Sequence, residues 1–148
     1  MSWWSLRPEP VCGRALRAAA LVACALLAIG AHAATCGNGL AGARILRGEH
    51  HLLAYAPDPA PIARGRHFAL EVVVCPAPGR SQPERLNLDA RMPEHGHGMG
   101  YSPQARLMMP GRWRVEGFML HMAGRWTFSF ELGGPGGTER LEEDRVIR

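Results

Sequence analysis

The chain reads as all-β: an immunoglobulin-like antiparallel β-sandwich of about seven strands, preceded by a cleavable leader. Three observations predict this. Apolar and polar residues alternate with a period of two in run after run. Clusters of Gly, Pro, Asp and Ser separate these runs, at "APDPAP", "PAPGRSQP", "HGHGMGYSP", "MPG", "MAG" and "GGPGG". No segment beyond the leader carries the 3.6-residue period of an amphipathic helix.

Taken in order, the first 33 of the 148 residues have the layout of a secretory signal peptide. Arg7, Arg14 and Arg17 precede the apolar run "AAALVACALLAIG", and "AHAA" places Ala31 and Ala33 at the small-residue positions of a cleavage site. That run is short against the ~20 apolar residues a bilayer span requires. The expectation is cleavage after Ala33, a domain covering residues 34–148, and a periplasmic or secreted location. A second reading makes Cys24 in "LVAC" the lipidated residue of a lipoprotein, so that the membrane is met only through the leader, lipidated or uncleaved.

The strands follow. Arg44 to Tyr55 is an irregular first candidate. In "RHFALEVVVCP", Phe68, Leu70, Val72 and Val74 share a face. "ERLNLDARMP" places Leu86, Leu88, Ala90 and Met92 together and stops at Pro93. "QARLMM" is a short strand, and "GRWRVEGFML" puts Trp113, Val115 and Gly117 on one side. "GRWTFSFEL" points Trp126, Phe128, Phe130 and Leu132 inward, and "LEEDRVIR" is a last strand or a frayed tail.

Residues 34–148 carry 14 arginines against 12 carboxylates and show no basic patch, so a nucleic-acid partner is not expected. Two cysteines remain, Cys36 and Cys75. An exported pair reads first as a disulfide, with a thiolate metal pair as the alternative. Of three serines, Ser81, Ser102 and Ser129, none sits in a nucleophile elbow, and Glu94 beside His95 is no acid–base pair, because neighbours on a strand face apart. Enzymatic activity is not expected.

The chemistry gathers in one window. Met92, Met99, Met108, Met109, Met119 and Met122, the only methionines after the leader, lie there together with His95, His97 and His121. Thioether sulfur suits Cu(I), and imidazole serves both copper oxidation states. In "RMPEHGHGMGYSP", an extended backbone sends His95, His97 and Met99 to one side, while the glycines let the chain curl around an ion. Met92 ends the preceding strand, and His121 and Met122 come from another turn. The candidate metal ligands are therefore Met92, His95, His97, Met99, His121 and Met122, with Cu(I) the favoured ion. Met92, Met108, Met109 and Met119 also suit core or rim packing. His50 and His51 fall on opposite faces of a strand, as solvated residues, and His67 is a surface residue.

"MPEHGHGM" followed by "PGRWRVEGFMLHMAGRWTFSFEL" resembles the YtkA-like domain, related to FixH-like proteins. The matching positions are Met92, Pro93, His97 and Met99, then Gly111, Trp113, Val115 and Gly117, then Leu120, Met122, Gly124 and Trp126. The resemblance covers roughly residues 65 to 133. It implies a small exported immunoglobulin-like sandwich associated with copper handling and respiratory oxidase maturation. A copper ion and a periplasmic or membrane metalloprotein acceptor are the partners it implies, with Met92, His97, Met99 and Met122 as the positions of interest. His95 stands where many relatives carry another residue. The alternative is a periplasmic interaction module whose Met-rich loops dock a partner without metal.

Overall fold

The computed structural model describes residues 36–148, and every regular element among them is a strand. The expected leader, its expected cleavage site and Cys24 lie outside the described residues. The strands are β1 (Arg44–Arg47), β2 (His51–Asp58), β3 (His67–Pro76), β4 (Arg85–Met92), β5 (His97–Gly98), β6 (Gln104–Met109), β7 (Arg112–Met119), β8 (Gly124–Gly134) and β9 (Gly137–Ile147). They form two antiparallel sheets, one ordered β1-β2-β3-β7-β6 and the other β5-β4-β8-β9. The core lies between them, as the sandwich reading expects.

Nine strands replace the expected seven or so for two local reasons. The first candidate, Arg44 to Tyr55, folds back on itself: β1 pairs with β2, with Arg47 opposite Leu52. The turn between them is closed by the Gly48 N–H donating to the His51 carbonyl at 2.8 Å. Gly48 leaves room there for Glu139, whose carboxylate would have to shift if a Cβ were present. The other addition, β5, is two residues long, below what alternation can reveal.

The alternating runs bury the faces they define. Trp126, Phe128, Phe130 and Leu132 of β8 are 0–1% exposed. Burial of such side chains contributes roughly 1.5–3 kcal/mol each, before the entropy of ordering them. Leu86, Leu88, Ala90 and Met92 of the neighbouring β4 lie beside them on the same face, with Leu70, Val72 and Val74 of β3 across the core. In β7 the alternation breaks. Leu70 pairs with Val115 and Phe68 with Phe118, so β7 carries one extra residue over that interval. Gly117 takes φ +98° at this bulge and is exposed, and Phe118 enters the core in its place. The expected inward Gly117 is corrected accordingly.

The tail does not fray. β9 pairs with β8 from Gly137 opposite Gly134 to Ile147 opposite Gly124. Cys36 and Cys75 form a disulfide with Cα atoms 5.9 Å apart, which joins the first described residue to the end of β3.

Candidate metal centre

Strand direction places the window's histidines at one end of the sandwich. β4 runs into that end and finishes at Met92; β8 leaves it at Gly124; β7 enters it at Met119. Two turns meet there, residues 93–96 and 120–123.

The first turn is closed on Met92, whose carbonyl accepts from His95 N at 3.2 Å and Gly96 N at 3.0 Å. Gly96 takes φ +67°, a conformation that costs glycine little. The segment is therefore a turn followed by the short β5, not an extended run. The extended backbone expected over His95, His97 and Met99 is corrected to that extent; His95 and His97 are exposed, while Met99 is 8% exposed. Glycine at 96 favours the turn, because its positive φ is a conformation other residues rarely adopt.

Met92 lies directly opposite His97 in the β4–β5 ladder. Directly opposed residues share a face, with Cβ atoms about 4.5–5.5 Å apart. Met92 is 1% exposed. Its terminal methyl fills the space beside Gly124, where an added Cβ would come within 2.8 Å of it. Gly124 also holds φ +130°, so a side chain at that position is excluded twice.

The imidazoles form a chain of rings. The centroids of His95 and His97 are 5.7 Å apart, and those of His97 and His121 are 5.5 Å apart, the latter pair stacked. Both His97 and His121 stand edge-on to the Trp126 indole, at 6.3 and 5.7 Å. Trp126 is fully buried and donates its indole N–H to the Met122 carbonyl at 3.0 Å, which fixes the second turn under the histidines. His97 Nδ1 lies 3.2 Å from the Gly98 carbonyl. A carbonyl can only accept, so the neutral ring carries its proton on Nδ1 and presents Nε2 as a lone pair. Glu94 pairs with Arg125 at 3.1 Å, tethering the first turn to β8, and Arg125 also reaches Asp144 on β9.

Two imidazoles bound to one ion at about 2.0–2.1 Å have ring centroids roughly 4.5–6.3 Å apart. The His95–His97 and His97–His121 separations fall in that range. Among the described residues, no three His, Cys, Asp or Glu side chains already converge on a common point. The arrangement offers imidazoles in pairs, with thioethers as the remaining local donors: Met92 and Met99 buried, and Met122 partly buried against the core.

The other methionines divide. Met119 lies at this end, opposite His67 in the β3–β7 ladder. Met108 and Met109 end β6 beside the turn to Arg112, at the far end of the sandwich, 53% and 57% exposed. Their nearness to the histidines is in sequence only.

His51 is not a solvated strand residue. Its Nδ1 lies 2.7 Å from Glu139 Oε2 and its Nε2 3.2 Å from the Ser81 carbonyl. His50 lies in the turn before β2, where its backbone N–H donates to Glu139 Oε1 at 3.0 Å. Burial alone pushes the Glu139 carboxyl upward, but the His50 N–H, His51 and the Glu49 N–H together outweigh it and hold the group below the ordinary glutamate range. These partners come from β2, β9 and the segment before β4, and no local pattern in the sequence signals them. The same holds for the Trp126 indole bond and for the Glu94–Arg125 tether.

Comparison of the chain with protein-family models, with curated proteins and with solved structures finds no match.

Proposed function

We propose that this chain is an exported copper-binding protein, a carrier or accessory that delivers the ion to a periplasmic or membrane metalloprotein. The reading rests on one observation above the rest. His97 is opposed to Met92 in the ladder and stacked against His121 over a buried tryptophan, so imidazole and thioether donors from two separate turns share one end of the fold. Ligand softness makes copper the ion that accepts both donor types. Its role is binding and release, not catalysis, and the resemblance to the YtkA-like domain points the same way.

The test is titration of residues 34–148 with copper against a competing chelator, with Cu(I) kept anaerobic. The expected result is one equivalent bound, lost when His97 and Met99 are both replaced by alanine. Unchanged binding in that double variant ends the reading.

A second reading has its own observation. β6 is a sheet edge with Leu107, Met108 and Met109 all at least half exposed, flanked by Arg106 and Arg112, which have no carboxylate partner among the described residues. Such an edge suits an extended acidic and apolar segment of a partner, added as a further strand. A thermal shift on adding copper separates the two readings, since a ligand of the native state raises its melting temperature.

A further inference from the structure

The donors at the candidate metal centre are arranged in two layers, and each layer suits a different oxidation state of the ion. This inference rests on the copper reading above. The outer layer is imidazole: His95, His97 and His121 are all exposed. The inner layer is thioether: Met92 is 1% exposed and Met99 8%, both within the hydrophobic core cluster. An ion arriving from solvent at this native conformation meets nitrogen first. Both methionines are almost wholly covered in this conformation, so engaging either sulfur calls for a local rearrangement around the 93–100 segment.

Imidazole nitrogen serves Cu(II), whereas thioether sulfur is a good ligand for Cu(I) and a poor one for harder ions. We infer that the folded protein takes Cu(II) through a pair of imidazoles centred on His97, without its buried methionines, and that Met92 and Met99 contribute only to Cu(I).

The geometry supports His97 as the shared ligand. It is the middle ring of the chain, within 5.7 Å of His95 and 5.5 Å of His121 by ring centroid. Its Nδ1 is committed to the Gly98 carbonyl, which leaves Nε2 for the ion. Glycines at 96, 98 and 100 flank His97 and Met99, and Gly96 and Gly100 hold φ +67° and +81°. Met99 lies on the same short segment as His95 and His97, and Met92 ends the strand that leads into it, so inner and outer donors are close in the chain. No electron transfer is part of this inference; it concerns which ion each layer holds.

The experiment compares Cu(II) and anaerobic Cu(I) affinities in four proteins: wild type, His97→Ala, His121→Ala, and the double variant Met92→Leu/Met99→Leu. Leucine conserves volume, so the core survives, and thermal melting of each apoprotein checks this. For Cu(II), His97→Ala is expected to lose affinity on the order of tenfold or more, as metal-site substitutions do. His121→Ala loses less, because His95 remains to pair with His97. The methionine double variant is expected to stay close to wild type, with the same nitrogen hyperfine pattern in the electron paramagnetic resonance spectrum. For Cu(I), the methionine double variant is expected to weaken by about tenfold or more. A Cu(II) affinity that falls equally in the methionine double variant overturns the layered arrangement while leaving copper binding intact. Failure of the wild type to bind copper in either oxidation state removes the copper reading itself, and this inference with it.

Discussion

The two ends of the sandwich both carry histidines, and they use them in opposite ways. At the end that holds the disulfide, each ring nitrogen of His51 faces an acceptor, one from Glu139 and one from the Ser81 carbonyl, and the side chain is 12% exposed. At the other end, no carboxylate pairs with His95, His97 or His121 among the described residues; the rings contact one another and Trp126. A histidine whose nitrogens are both engaged holds strands together, and one whose Nε2 is left as a lone pair can hold an ion. A small, partly enclosed cavity lies at the disulfide end, beside His50, His51, Gln82 and Glu139. It is about 30 Å³, room for a water molecule and little more. A more open hollow at the other end is lined by Met92, Gly96, His97 and Gly98.

The largest expected effect comes from the anchored end. Replacing Cys36 and Cys75 by alanine opens a crosslink across 39 residues, and loop-closure entropy puts the loss near about 4 kcal/mol. Urea unfolding of the oxidised protein and the double variant measures it. Next comes His51→Ala, which leaves a Glu139 carboxylate, itself 11% exposed, short of one hydrogen bond. The expected loss is about 1–3 kcal/mol by the same measurement. A loss within experimental error would erase the distinction between the two ends.

Acid sharpens the comparison. The Glu139 and Glu143 carboxyls both lie below the ordinary glutamate value of 4.5. In each, burial acts upward and is outweighed, for Glu143 mainly by the Arg44 guanidinium and the Tyr55 hydroxyl. A carboxyl whose folded value is depressed gives stability that is fully present above its unfolded value and is lost as pH falls through the folded one. From these two carboxyls, melting temperature is therefore expected to change little above about pH 5 and to fall below about pH 4.5, where the unfolded chain takes up protons that the folded carboxyls do not. In Glu139→Gln the fall is expected to be shallower. Tyr55, whose hydroxyl is pushed up to about 12 chiefly by burial, stays neutral throughout that range.

The smallest effect belongs to the candidate metal end. His97→Ala and His121→Ala remove exposed rings with no charged partner, so stability without metal is expected to change by less than about 0.5 kcal/mol. The same substitutions are the ones expected to alter copper affinity. Large destabilisation by either would make those rings structural and align the two ends.

Most of the fold was legible along the chain, and the reason is local. Period-two alternation in β3, β4 and β8 names the buried residues directly, because a strand with one face in the core has no other way to distribute its side chains. Where a bulge or turn interrupts the period, the reading slipped. Gly117 was assigned to the wrong face, Arg44 to Tyr55 concealed a hairpin, and β5 was too short to register. The candidate site was legible as a list of donor types and not as an arrangement. Met108 and Met109 belong to the same sequence window as Met92 and Met99, yet a strand's length separates them from the histidines.

By itself, then, the sequence determined which faces are buried, which cysteines join and which side chains are soft-donor types, because each of these follows from side-chain type and short-range spacing. Only the tertiary structure decided which donors share an end of the sandwich, which sulfurs lie inside the core, and that His51 is a clasp while His97 is not. Those outcomes depend on strand order and register. They bring together residues tens of positions apart, and no local free-energy preference encodes that.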